Sequence, residues 1–138
     1  MRVLIDSSAF LSLEDPNERS HVECREALAD LVAQKARLLT TNFVFDEAYT
    51  LILTRLGRDR AVTWGERFRA GRLVRAVRVD PDHEEQAWQL ILAFADKEFS
   101  YTDATSFAVA ASLDVTHALS LDRHFHQYGR FEVLPPAR

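Results

Sequence analysis

Four acidic residues stand where a chain of alternating strands and helices would bring them together. Asp6 ends the apolar run RVLID, Asp122 ends HALSLD, and Asp103 begins the mostly apolar stretch FSYTDATSFAVAASL. Glu47 lies in NFVFDEAYTLIL, which is apolar on nearly every side of a helix, so burial of its carboxylate requires a partner or a metal. Because converging carboxylates repel one another and a cation relieves that repulsion, the pattern predicts a metal site.

The cation that such a site would prefer is Mg2+ or Mn2+, since hard divalent ions take oxygen ligands. Metals held in this way orient and deprotonate water and stabilise charge on an attacked phosphate, so no protein nucleophile is needed. Each acid alone also has a structural explanation. Asp103 in a first helical turn gains from the helix dipole, Asp122 could cap the short helix RHFHQY, and Asp6 could be a turn residue.

Other chemistries fit less well. A phosphatase with an aspartyl nucleophile needs a second acid where this chain has Ser8, and the four glycines form no phosphate-binding loop. The single cysteine, Cys24, excludes an internal disulfide and a multi-cysteine metal site. His124 and His126 are two residues apart and would not share a helical face, so we expect both at the surface.

The elements that must position the acids alternate along the chain. Helical patterns cover residues 21–36, 43–57, 58–71, 80–96 and 99–113, with Asn42 as a cap and Gly57 as a stop. Strand patterns cover residues 2–6, 37–41, 72–79, 117–122 and 131–134, and the strict alternation in RLVRAVRV is typical of an edge strand. This order predicts a parallel sheet with helices on both faces, whose ligands bind beyond the carboxyl ends of the strands.

Length and composition agree with one domain over residues 1–138, because 138 residues with 47% hydrophobic and 28% charged residues suit one globular core. No apolar run approaches the ~20 residues that cross a bilayer, and Asp6 falls too early for a secretory signal. We therefore expect a cytoplasmic protein with no membrane contact. The net charge of −4 argues against a general nucleic-acid coat, but residues 55–78 are rich in arginine. That region could bind a polyanion or a partner, or it could be only a solvated face.

The motifs VLIDSSAFLSL, TTNFVFDEAYTLI, YTDATSFAVAASL and ALSLDRHF resemble, in order and spacing, those of PIN domains, and most closely the toxin ribonucleases of VapBC-type toxin–antitoxin modules. The resemblance implies a three-layer α/β/α sandwich with a mainly parallel central sheet. It implies that acids bind Mg2+ or Mn2+ for RNA cleavage, and that small polar residues support the site. His124 departs from the family pattern, which often has an aspartate there. Carried over to this sequence, the metal residues are Asp6, Glu47, Asp103 and Asp122, and Ser8 and Ser120 are supporting residues.

Ser106 lies one helical turn from Asp103 and is a further candidate for support. The resemblance implies an endoribonuclease that hydrolyses RNA with a metal-activated water, a VapB-type antitoxin as partner, and a homodimer. Two alternatives stay open. The chain could be an RNA-processing PIN nuclease without an antitoxin, or a catalytically weak protein-binding module that receives a peptide on its arginine-rich region or on the helix near residues 43–53.

Overall fold

The computed structural model describes residues 1–136 and confirms the expected α/β architecture, with strands and helices that alternate along the chain. The strands are β1 (Arg2–Ile5), β2 (Arg37–Thr41), β3 (Val74–Val77), β4 (His117–Leu119) and β5 (Glu132–Leu134). The helices are α1 (Ser7–Glu14), α2 (His21–Ala33), α3 (Asn42–Leu56), α4 (Arg58–Ala70), α5 (Pro81–Ala93), α6 (Tyr101–Ser112) and α7 (Arg123–Tyr128).

The strands form one sheet in the order β3-β2-β1-β4-β5, and every neighbouring pair is parallel. β1 lies at the centre, with Val3 opposite Leu38 of β2 on one side and opposite His117 of β4 on the other. β3 lies at an edge, as its alternating pattern predicts. Because all strands point the same way, their carboxyl ends meet at one side of the sheet, which we call the carboxyl edge.

Two hydrophobic cores cover the two faces of the sheet. Val3 and Ile5 of β1 pack with residues of α1 to α4, including Phe10 and Trp64, in the first core. Leu4 points to the opposite face and packs in the second core, where Phe107 of α6 is fully buried. β1 is therefore apolar on both faces, as expected for a strand covered by helices on each side. Helix α5 packs on α6 through small residues, Ala87 against Ala104 and Ala108.

Helix α1 is an element that the sequence analysis did not predict. It follows β1 without a loop, because the Asp6 carbonyl accepts hydrogen bonds from the amides of Ala9 (3.1 Å) and Phe10 (3.2 Å). Asp6, Ser7 and Ser8 separate the two apolar runs, and these residue types are as typical of a turn as of a helix start, so the pattern does not reveal the helix. The abrupt change from strand to helix leaves Asp6 as the N-cap residue at the carboxyl edge.

The predicted cap of α3 is corrected by one residue. Thr41, not Asn42, is the N-cap, and its side chain accepts a hydrogen bond from the Val44 amide at 3.0 Å. Asn42 instead accepts from the Val79 amide at 2.7 Å and so joins the start of α3 to the segment after β3. The predicted stop is confirmed, since Gly57 follows α3 with a φ of 92°, in the region that favours glycine.

Two strands are shorter than their sequence patterns indicate. The pattern over residues 72–79 forms a strand only at Val74–Val77, and the pattern over 117–122 only at His117–Leu119. Ser120 and Asp122 therefore lie in the turn after β4, where their side chains can face the carboxyl edge. Within residues 1–136, no helix is both long enough and apolar enough to span a bilayer.

Candidate active site

The carboxyl edge brings together all four predicted acids. Asp6 follows β1, Asp122 follows β4, Asp103 lies in the first turn of α6, and Glu47 lies in α3. Their charges interact in pairs: Asp6 interacts with Asp103 and Glu47, while Asp122 interacts with Asp103 and Glu47. Two strand ends and two helices thus supply one acidic cluster, as the parallel architecture predicts.

Asp6 is the most deeply buried of these acids, with 1% of its surface exposed. Its Oδ2 accepts hydrogen bonds from Ser8 (2.9 Å) and Ser120 (3.1 Å), so both residues predicted to support the site contact this acid. Its Oδ1 is buried and has no hydrogen-bond partner among the described residues. Burial is the main cause that raises the pKa of Asp6 from 3.8 to about 7, and the charge of Asp103 contributes further.

The two supporting serines also connect the strand ends to each other. Ser8 accepts a hydrogen bond from the Leu121 amide at 3.0 Å, and Ser120 accepts one from the Asp122 amide at 3.1 Å. The segment after β4 is therefore held against the start of α1. This arrangement sets the position of Asp122 relative to Asp6 before any ligand binds.

Glu47 is half-buried on the inner side of α3 and accepts a hydrogen bond from Ser7. Burial raises the pKa of Glu47, the hydrogen bond from Ser7 opposes that rise, and the charges of Asp103 and Asp122 add to it. Sequence reasoning singled out Ser8 but missed Ser7, although both hydroxyls follow Asp6 directly. The unpredicted α1 explains the omission, because only the helix turns Ser7 toward α3.

Asp103 has the two roles that its sequence position suggests. It forms a capping box with Ser100: the Asp103 amide donates to the Ser100 hydroxyl at 2.9 Å, and the Ser100 amide donates to Asp103 Oδ2 at 3.4 Å. Its side chain is also buried at the carboxyl edge, with 3% of the residue exposed. Burial raises the pKa of Asp103, and the hydrogen bond with His124 opposes that rise.

His124 corrects a sequence prediction, because it does not lie at the surface. Its side chain is 17% exposed, and its Nδ1 lies 2.8 Å from Asp103 Oδ2 and 3.5 Å from Asp122 Oδ1. The ring also packs edge-on against Phe99, with 5.6 Å between ring centroids. His126 is exposed, as predicted. The sequence analysis named this helix and its Asp122 cap, but it did not indicate which side of so short a helix faces the cluster, and His124 lies on that side.

Ser106 does not support the cluster in the way its spacing suggests. It is fully buried, and its hydroxyl has no hydrogen-bond partner among residues 1–136. Asp122, in contrast, both caps α7 through the His124 amide at 2.9 Å and faces the cluster. The cap explanation and the site explanation of Asp122 are therefore compatible.

The donor set fits a divalent cation. One ligand atom each from Asp103, Asp122 and His124 lie within 4.8 Å of one another. The unpartnered Oδ1 of Asp6 gives a second, independent sign, because a buried carboxylate oxygen without a donor is unusual and a cation would satisfy it. A site rich in carboxylate oxygens suits Mg2+ or Mn2+.

Comparison with known proteins gives consistent matches in sequence. Residues 3–131 match the sequence model of the PIN domain. The 23S rRNA-specific endonuclease VapC20 of Mycobacterium tuberculosis is 31% identical over 133 residues, which cover 96% of this chain and 98% of that protein. A VapC ribonuclease of Archaeoglobus fulgidus is 30% identical over 128 residues, covering 91% of this chain and 80% of that protein.

Solved structures agree with these matches. The crystal structure of M. tuberculosis VapC20, described as a Sarcin-Ricin loop cleaving toxin, superposes with a TM-score of 0.84 at 31% identity and covers 95% of this chain and 98% of that one. VapBC2 from Rickettsia felis, bound to a promoter DNA fragment, superposes with a TM-score of 0.74 over 96% of this chain and 97% of that one. At 9% identity the second match shows a shared fold alone.

Proposed function

The chain belongs to the PIN domain family, and from this premise we propose that it is a metal-dependent endoribonuclease that hydrolyses RNA phosphodiester bonds. The observation that carries the proposal is the state of Asp6. A carboxylate that is 1% exposed, next to other acids and with one oxygen unpartnered, is costly for the fold unless a cation joins it. A cost of this kind is typical of functional sites.

The cation would be Mg2+ or Mn2+, held by Asp6, Asp103 and Asp122, with Glu47 as a direct or water-bridged ligand. Such an ion supplies charge that polarises a phosphate and makes a nearby water a better nucleophile. The chain's own residues position the ligands. Ser8 and Ser120 orient the Asp6 carboxylate by donating to its Oδ2. The hydrogen bond that Ser7 donates holds the Glu47 carboxylate in the cluster.

His124 is a positioning residue in this scheme. Its contact with Asp103 restricts the rotation of that carboxylate, and its packing on Phe99 keeps the ring in place. The polar face of the cluster then consists of carboxylate oxygens whose directions are set by hydroxyl and imidazole donors. Such outer partners typically change metal affinity or activity by about 10- to 100-fold.

The substrate to test first is 23S ribosomal RNA, because the M. tuberculosis relative with 31% identity is named for that substrate. The assay incubates 23S rRNA and a short hairpin from its sarcin-ricin loop with Mn2+. We expect cleavage by the wild-type protein and a loss of about 100-fold or more in Asp6→Asn and Asp103→Asn. Asp30→Asn, which changes an exposed carboxylate on α2, is the matched control and should cleave normally. Equal cleavage by all four proteins would sink the proposal.

A VapB-type antitoxin is the proposed protein partner, because the VapC20 relative is described as a toxin. The sequence analysis offered the arginine-rich region or the helix near residues 43–53 as the place for a peptide partner, but the apolar side chains Val44, Ala48 and Ile52 of that helix are buried in the core. An open apolar cavity of about 870 Å³ lies instead between α1, α2 and α4, and residues that line it include Leu28, Val32, Trp64, Phe68 and Leu73.

This cavity suits an apolar segment of an antitoxin, since Val32 is 44% and Leu73 is 57% exposed. The test coexpresses the chain with the product of a short adjacent gene that encodes a DNA-binding protein. Val32→Glu/Leu73→Glu should lose co-purification and keep ribonuclease activity, because neither residue contributes to the acidic cluster. Retained co-purification would place the partner elsewhere. Absence of any such neighbouring gene would favour the alternative of an RNA-processing nuclease without an antitoxin.

The second alternative is a protein-binding module without catalysis, and a measurement of metal binding distinguishes it from the proposed nuclease. Calorimetry with Mn2+, in the presence of RNA, should show binding by the wild-type chain and weaker binding by Asp6→Asn. No metal binding by either protein would favour the binding-only alternative.

The homodimer that the family resemblance implies stays a prediction, which analytical sedimentation can test. Trp88 and Leu92, exposed one turn apart on α5, are the residues to substitute in that experiment.

A further inference from the structure

Six of the eight arginines of residues 55–78 fall into two groups with different surroundings. Arg55 forms an ion pair with Glu18, and Arg60 and Arg67 both bond to Glu14, so these three join α3 and α4 to the end of α1 and the loop after it. The side chains of Arg69, Arg72 and Arg75 form no ion pair or hydrogen bond with any residue in the described part of the chain. The first group has a structural role, and the second group is free to bind something else.

The free arginines converge with others at the end of the sheet opposite the acids. Arg2 and Arg37, paired in register at the start of β1 and β2, line a cavity of about 370 Å³ together with Arg72 and Arg75. A second cavity of about 490 Å³ shares Arg72 and Arg75 and adds Arg69. We call this surface the basic groove, and it consists of Arg2, Arg37, Arg69, Arg72 and Arg75.

The basic groove is lined by no acidic residue, although the whole chain has a net charge of −4. Arg2 also donates to the carbonyl of Leu113 at 2.7 Å, but Arg37 has no side-chain partner among residues 1–136. Charges on an edge strand such as β3 can simply prevent sheet-to-sheet association. That explanation does not cover Arg2 and Arg37, because β1 and β2 are interior strands.

We propose that the basic groove binds the phosphate backbone of the RNA substrate at a distance from the scissile bond. The proposal rests on the proposed ribonuclease function. Guanidinium groups match phosphate geometry through paired N–H donors, and contacts to phosphate supply affinity without sequence choice. Arg2 and Asp6 lie at opposite ends of β1, about 13 Å apart at 3.3 Å per residue. An RNA of only a few nucleotides therefore reaches the acids without touching the groove, while a hairpin can reach both.

Arginines also follow the length of the edge strand beside the groove. Arg72, Arg75 and Arg78 recur every third residue along β3 and its flanks, and all three are exposed. Arg78 follows β3 and so lies toward the carboxyl edge, whereas Arg72 precedes it. Residues three apart on an extended segment project to opposite faces, so positive charge lies on both faces of this edge strand.

The experiment measures RNA binding in EDTA, which prevents cleavage, by the fluorescence anisotropy of a labelled 27-nucleotide hairpin and a labelled five-nucleotide RNA. The test variant is Arg37→Gln/Arg75→Gln. The matched control is Arg19→Gln/Arg58→Gln, which removes the same charge from exposed arginines outside the groove. Binding is followed over a series of salt concentrations, and cleavage of the five-nucleotide RNA with Mn2+ is measured separately.

For the hairpin, the loss of two phosphate contacts should reduce the steepness of the plot of log binding constant against log salt concentration by about 1.5. At 0.1 M salt this corresponds to a loss of roughly 30-fold in hairpin affinity. The control should change the hairpin affinity far less, and the test variant should bind and cleave the five-nucleotide RNA like the wild type. Equal losses of hairpin affinity in the two double variants, or an unchanged hairpin affinity in the test variant, would overturn the proposal that the groove binds RNA. The proposal would also fail if an acidic ten-residue peptide lost affinity for Arg37→Gln/Arg75→Gln while the hairpin did not.

Failure of the proposed function has a different signature. In that case the wild-type protein neither cleaves the short RNA with Mn2+ nor cleaves 23S rRNA. Short-RNA cleavage that persists in every variant, with no effect of Arg37→Gln/Arg75→Gln on the hairpin, rejects the groove and leaves the ribonuclease intact.

Discussion

Replacement of Asp6 by asparagine should abolish RNA cleavage and, in the absence of metal, make the fold less sensitive to rising pH. Asp6 has a pKa of 3.8 when unfolded and about 7 in the folded chain, so between these values the folded state binds more protons than the unfolded state. The free energy of unfolding therefore decreases as pH rises through this window. At 1.36 kcal/mol per pKa unit, the whole shift corresponds to about 4 kcal/mol.

Only part of that window is accessible with a folded protein. From pH 5 to the folded pKa near 7, the wild-type chain should lose about 2 kcal/mol of its free energy of unfolding through this group. Asparagine has no such titration. From pH 5 to pH 7, the free energy of unfolding of Asp6→Asn should therefore rise by about that amount relative to that of the wild type. An asparagine amide next to the unpartnered position adds a constant penalty of about 1–3 kcal/mol, which does not depend on pH.

The assay is urea denaturation in EDTA at pH 5, 6, 7 and 8 for wild type, Asp6→Asn and the exposed-site control Asp30→Asn. The control should follow the wild type in parallel. Saturating Mn2+ should restore wild-type stability at pH 8 and have little effect on Asp6→Asn, because a ligand that binds only the folded state stabilises it. If the difference in free energy of unfolding between Asp6→Asn and wild type stays constant from pH 5 to pH 8, the inference that Asp6 has a raised pKa and needs a cation is refuted.

Three further substitutions test other parts of the structure. Ser7→Ala should weaken Mn2+ binding about 10-fold in calorimetry, because Glu47 loses its donor, while the exposed-site change Thr50→Ala should not. His124→Asn should lower Mn2+ affinity by about 10- to 100-fold, with the exposed His126→Asn unchanged; equal affinities would show that His124 does not position Asp103. Phe107→Ala should cost about 3–5 kcal/mol in urea denaturation, because this ring is fully buried among aromatic neighbours, and a loss under 1 kcal/mol would contradict that packing.

The positions of Asp6 and Asp122 could be predicted because two regularities act together. Short apolar runs that end in an acid indicate buried strands, and parallel strands place their carboxyl ends at one edge. Asp103 and Glu47 followed from helix position and from the cost of an acid on an apolar face. None of these arguments needs the register of the sheet or the direction of a side chain. They depend only on the order and polarity of the elements.

Ser7, His124 and the state of Ser106 could not be predicted in the same way. Ser7 reaches Glu47 only because α1 starts directly after β1, and the polar residues Asp6, Ser7 and Ser8 at that junction are equally compatible with a turn. Asp122 and the short helix that it caps could be named from the sequence, but which side of that helix turns inward, and with it His124, could not. Contacts between residues distant in sequence depend on helix directions, and these are set by packing of the whole chain.

The acidic cluster and the basic groove have opposite requirements that the fold satisfies by separation. Without a cation, the carboxylates would repel an RNA phosphate at the place where it must bind. Attraction for the remaining phosphates must then come from elsewhere on the chain, and free arginines next to the acids would instead pair with them, as Arg67 pairs with Glu14. At about 13 Å, the length of β1, the two surfaces lie further apart than the screening length of about 8 Å at physiological salt. A single strand length is therefore enough to separate the proposed cation site at one end of this sheet from the proposed phosphate site at the other.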